Sequence, residues 1–73
     1  MNVDGLIKMA NEIAAFFDAE TDRELAAANM ANHLRRYWEP RMRRQIIEHY
    51  RHNGGGLVDL ARSGVALLAG ETP

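Results

Sequence analysis

A chain of 73 residues with a formal net charge of −1 makes one small domain, whose core supplies only about 3–5 kcal/mol unless something else staples it. It has no cysteine, which excludes disulfides, thiolate zinc sites and iron–sulfur ligation. The longest apolar runs, residues 13–17 and 65–69, fall far short of the ~18–20 residues of a membrane span.

Asn2 or Asp4 starts the first helix, expected over about residues 3 to 18. Leu6, Met9, Ala10, Ile13, Phe16 and Phe17 follow the i, i+3, i+4, i+7 spacing of one buried face, which assigns both phenylalanines to the core. Lys8, Asn11, Glu12, Ala15 and Asp18 take the other side. Thr21-Asp22-Arg23-Glu24 then fits a capping box, in which the Thr hydroxyl and the Glu carboxylate satisfy opposite backbone donors. The acids from Asp18 to Glu24 do not make a calcium loop: Arg23 stands where the loop needs Gly, and Asn29 where it needs its closing Glu.

The second helix, about residues 22 to 37, is rich in alanine, the best helix former. Its apolar stripe is Ala27, Met30, Ala31, Leu34 and Trp38. A corner of one or two residues follows, because Pro40 removes a donor and biases Glu39 away from helical dihedrals while itself suiting the first position of a new helix. That third helix should reach residue 51 or 52, with Met42, Ile46 and Tyr50 as its stripe and Ile47 at the edge. Arg44 and Glu48 are four apart and placed to pair, worth ~0.2–0.5 kcal/mol.

Asn53-Gly54-Gly55-Gly56 ends the helix, since glycine readily supplies the left-handed C-terminal conformation. Three glycines predict a flexible joint, with residues 57–73 loosely docked. A fourth helix over about residues 57 to 69 places Leu57, Leu60, Ala61, Gly64, Val65 and Leu68 on one face. Gly64 inside that stripe costs roughly 0.8–1 kcal/mol relative to Ala, so either a neighbouring helix approaches it closely or the helix breaks at Ser63-Gly64. Residues 70–73 are expected to fray. The fold class is all-α, a small three- to four-helix bundle, with a three-helix core at 1–53, a joint at 54–56 and a C-terminal helix and tail at 57–73.

The near-neutral charge hides an asymmetry. Residues 1–24 hold six acids against Lys8 and Arg23, whereas residues 35–51 hold six arginines against Glu39 and Glu48. Mutual neutralisation within the fold is the simpler expectation, and an acidic partner for the basic half the other. His49 and His52 are three apart, but nothing fixes the third ligand that a catalytic zinc site requires. No Ser-His-Asp or Cys-His arrangement is present, and the glycine run lacks the Lys and Ser/Thr of a phosphate loop. A chain this short leaves little room for a substrate cavity, so no catalytic, cofactor-binding or metal residues are assigned. Duplex DNA or RNA is not the expected partner, because Glu39 and Glu48 interrupt the basic helix and the acidic half repels phosphate.

His33-Leu34-Arg35-Arg36-Tyr37-Trp38-Glu39-Pro40-Arg41-Met42-Arg43 resembles the signature of the delta subunit of NAD-dependent, molybdenum-containing formate dehydrogenases. Lys8-Met9-Ala10-Asn11-Glu12-Ile13 with Phe16-Phe17 is similar to that family's N-terminal helix. The resemblance covers roughly residues 1 to 51. It departs at Glu39, where the family usually has Asp, and does not reach the C-terminal third. It implies a small non-catalytic accessory subunit that stabilises or helps assemble a cytoplasmic enzyme oxidising formate. The molybdopterin, iron–sulfur and flavin cofactors are then expected in the larger subunits, with this chain on the molybdenum-bearing one. His33, Arg35, Arg36, Tyr37, Trp38, Arg41 and Arg43 are the expected partner-binding residues. Trp38 and Arg43 lead that set, since Trp and Arg most often anchor interfaces and an arginine stacks on an indole face. In the plainer account Trp38 closes the core and Arg43 snorkels to water. The alternatives are a free-standing interaction or regulatory bundle and a small nucleic-acid-binding protein. Isolated chains could also form a homodimer through their apolar faces. With Asp4 near the start and no membrane-length run, no membrane contact is expected.

Overall fold

The computed structural model describes residues 2–70, which form four α-helices: α1 (Val3–Phe17), α2 (Arg23–Tyr37), α3 (Pro40–His52) and α4 (Asp59–Leu68). Among the described residues the fold is all-α, as the helical periodicity predicts. The fraying expected of the last residues falls mostly on 71–73, which lie outside the described residues.

Local chemistry sets the helix starts. The Asn2 side chain, not that of Asp4, caps α1 by accepting the Gly5 N–H at 2.8 Å. At α2 the expected capping box gives way to a cap one residue later, where Asp22 Oδ1 accepts the Leu25 N–H at 3.2 Å. Arg23 explains the shift. Its guanidinium donates to the carbonyls of Asp18 (3.1 Å) and Glu20 (2.8 Å) and pairs with the Asp18 carboxylate at 2.6 Å. That fixes the turn so that the helix opens at Arg23 itself. Asp22→Ala should therefore cost about 1 kcal/mol in urea unfolding, whereas Thr21→Ala should change it by only a few tenths. Equal costs would restore the capping box.

Trp38 and Glu39 both take extended dihedrals, so two residues make the corner before Pro40 begins α3. Glu39 makes no side-chain cap, and its carbonyl accepts the Arg43 N–H at 3.1 Å. The core lies between α2 and the other helices. Ala26, Ala27, Met30, Ala31, Leu34 and Trp38 are buried on α2, against Leu6, Ala10 and Ala14 of α1, Ile46 of α3, and Leu60, Ala61 and Val65 of α4. The most extensive helix pair is α2 with α4. It is tight because α4 runs unbroken through Gly64, where a Cβ would come within 2.8 Å of Met30 Sδ and 2.9 Å of its Cγ.

Two expectations are corrected. The glycine joint is tied down, and α4 is integral to the core rather than loosely docked. The Asn11 amide donates to the Gly56 carbonyl at 2.8 Å and its oxygen accepts the Val58 N–H at 3.0 Å. His49 Nε2 donates to the Gly55 carbonyl at 2.7 Å. Gly54 (φ 66°) and Gly56 (φ 84°) take left-handed dihedrals, which is why glycine stands there. The second correction is Phe16, which is 78% exposed rather than core. The buried line of α1 runs through Leu6, Ala10 and Ala14, and the two alanines let neighbours close in. At 3.6 residues per turn Phe16 lies about 120° round from Ala10, the middle of that line.

Candidate functional site

The basic residues divide into two groups. Arg43 donates to the carbonyls of Arg35 (3.1 Å) and Trp38, closing the end of α2. Arg62 donates to the Asn53 carbonyl at the end of α3 (3.2 Å), and Arg35 to that of Leu67 at the end of α4 (3.1 Å). Arg51 reaches the Ala69 carbonyl at 3.5 Å, and Arg23 closes α1 as described. Each of the four helix C-termini thus carries an arginine on its terminal carbonyls, where the helix dipole also favours a cation. This corrects the expectation that the acidic and basic stretches neutralise each other. The Arg23–Asp18 pair is the ion pair among the described residues, and Arg44 and Glu48 do not join in one.

The second group stays outward. Arg41 and Arg44 are exposed and bond nothing among the described residues, while the Arg36 guanidinium lies 5.8 Å from the centre of the Tyr37 ring. Tyr37 is itself 66% exposed. His33 and Tyr37 share one face of α2, four residues apart, with ring centres 4.8 Å apart. His33 meets Phe17 of α1 at 5.9 Å, and Phe17 meets Phe16 edge-on at 5.1 Å. Phe16, Phe17, His33, Tyr37 and Arg36 therefore form one continuous string along the α1–α2 edge. Beside it lies an open groove of about 350 Å³, lined by Met9, Glu12, Ile13, Phe16, Phe17 and His33.

Of the residues expected to bind a partner, then, Tyr37, Arg36 and Arg41 are presented to solvent, and His33 is half-buried within the string. Arg35 and Arg43 bond helix carbonyls, and Trp38 is 5% exposed in the core. The expected stacking of an arginine falls on Tyr37, by Arg36, and Arg43 instead finds its partners in the carbonyls beneath Trp38. Phe16, which periodicity assigned to the core, belongs to the surface string, whereas Phe17 is half-buried and packs against the core as expected while its ring also meets Phe16 and His33. The groups can hold an apolar or charged surface. Among the described residues no cluster of three or more His, Asp or Glu is disposed to hold a metal ion, and no helix is long and apolar enough to cross a membrane.

Comparison with protein families matches residues 5–65 to the NADH-dependent formate dehydrogenase delta subunit FdsD. The chain belongs to this family. The FdsD match takes in the triglycine joint and most of α4, well past the residue near 51 where the visible resemblance stops. Both the string and the arginine-closed corner of α2 and α3 lie inside the FdsD region. No curated protein and no solved structure matches the chain.

Proposed function

We propose that this chain is a non-catalytic accessory subunit that stabilises or helps assemble a cytoplasmic NAD-dependent formate dehydrogenase, contacting the larger subunits and chiefly the molybdenum-bearing one. The match to the delta-subunit family over residues 5–65 carries this reading. The surface supports it. Tyr37, Arg36 and Arg41 face outward at the corner, aromatic and arginine side chains of the kind that anchor protein interfaces. His33 backs Tyr37, while Trp38, Arg35 and Arg43 hold the corner rigid beneath them. A nucleic-acid role has less support, because Arg35, Arg43 and Arg51 of the basic stretch already bond helix carbonyls.

Deleting the gene should lower the yield of assembled, active formate dehydrogenase while leaving turnover per assembled complex unchanged. Tagged chain should also bring the larger subunits with it from its native cell. Unchanged yield, stability and activity after deletion would set the reading aside in favour of a free-standing interaction module.

A further inference from the structure

Phe16, at one end of the string of rings on the α1–α2 edge, does not serve the core. Phe16 is the most exposed large apolar side chain of the described residues, and the ring beside it, Phe17, already shields that end of α1. The groove it walls is mostly apolar, with one acid on its lining and a basic residue beyond it at the far end of the string. Glu12 lines one side with no ion pair or hydrogen bond among the described residues, and Arg36, at the far end of the string, has only the Tyr37 ring.

Resting on the accessory-subunit reading, we propose that this groove is the docking site for an amphipathic segment of a larger formate dehydrogenase subunit. That segment seats an apolar side chain between Phe16 and His33, sets a basic residue against Glu12 and an acidic one against Arg36. Charge complementarity argues for such an occupant, because neither Glu12 nor Arg36 has an ion pair among the described residues. The match to a family named as a subunit of formate dehydrogenase favours a partner subunit over a second copy as occupant. An apolar anchor in a concave site, ringed by polar contacts, is the arrangement that concentrates binding energy.

The test uses tagged full-length chain co-expressed with the other subunits in its native cell. Capture of the complex is measured alongside thermal unfolding of each purified variant. Phe16→Ala should keep the wild-type melting curve, since its side chain points outward, whereas Arg36→Glu, in the last turn of α2, should lower it slightly through the helix dipole. Both should weaken capture roughly 30-fold or more beyond any loss of folded chain, the range of an interface hot spot. Glu12→Arg should weaken it less, and Val58→Ala, an exposed apolar side chain off this face, should leave it unchanged. The double charge swap Glu12→Arg with Arg36→Glu should bind worse than either single variant. If the wild type captures the complex and these variants capture it equally well, the docking site is wrong and the accessory role stands. If the isolated chain dimerises and the double swap restores a dimer that each single swap breaks, the occupant is a second copy and the proposal is overturned. If even the wild type captures no subunit, the accessory reading itself falls and takes the docking site with it.

Discussion

Gly64→Val should destabilise the chain by about 2–3 kcal/mol, a large part of the roughly 3–5 kcal/mol that a domain of this size commands. Gly64→Ala should fail to deliver the usual helical gain of nearly 1 kcal/mol. The reason is the approach of α2. A Cβ on Gly64 would meet Met30 at Sδ (2.8 Å), Cγ (2.9 Å) and Cβ (3.2 Å). The sulfur could swing aside, but the Met30 Cβ moves only with its backbone. Met30 is fully buried among Leu6, Leu34 and Val65, so even the sulfur has no empty volume to enter. The decisive measurement is a double-mutant cycle in urea unfolding. Met30→Ala alone should cost about 2–5 kcal/mol, and with Gly64→Val the two costs should sum to less than their separate values, because the valine occupies space the methionine vacates. Strict additivity, or a stabilised Gly64→Val, would mean that the helices do not touch there.

Gly64 also shows which parts of the fold a single sequence carries. A glycine within an apolar stripe has a local cost that only a close neighbour offsets, so the contact could be inferred without knowing the neighbour. The Pro40 corner is legible for the same reason, since proline acts on its own residue and the one before it. Long-range bonds to backbone are not legible. Every residue owns a carbonyl, so nothing in the sequence says that Arg62 will find Asn53 or that Arg35 will find Leu67, 32 residues on. Side-chain charges are visible in the sequence and carbonyls are not, which is why the basic and acidic stretches suggested ion pairs. The triglycine misled likewise. Its composition signals freedom, while the bonds that hold it come from Asn11, 45 residues from Gly56 and 47 from Val58.

The candidate site was half legible, and the failure is instructive at α1. Apolar spacing tells which residues can share a face but not where the centre of that face lies. Counting Phe16 with Phe17 centres it between Met9 and Ile13. Packing on Ala10 and Ala14 turns the helix the other way and leaves Phe16 out. On α2, His33 and Tyr37 are four apart and so are able to share a face. Which neighbouring rings would join them depended on the position of α1.

Trp38→Ala and Tyr37→Ala should separate stability from association, although the residues are adjacent and both aromatic. Trp38 is packed in the core at the end of α2, so its removal should cost about 3–5 kcal/mol, comparable with the whole stability of the domain. The variant should be largely unfolded at room temperature, and whatever association it loses should follow the unfolded fraction. Its backbone matters too, because the Trp38 carbonyl accepts from Arg43, and a shifted corner would loosen that closure of α2. Tyr37 has most of its surface in water, flanked by the tilted His33 ring and the Arg36 guanidinium. Its removal should change stability by no more than about 0.5 kcal/mol, yet weaken capture of the larger formate dehydrogenase subunits about tenfold or more, as loss of an exposed aromatic anchor does. Thermal unfolding and quantitative co-purification, measured on the same preparations, decide the matter. A Trp38→Ala chain that stays folded but no longer binds, beside a Tyr37→Ala chain that binds normally, would reverse the assignment. It would place the interface on the indole face, with the outward rings as bystanders.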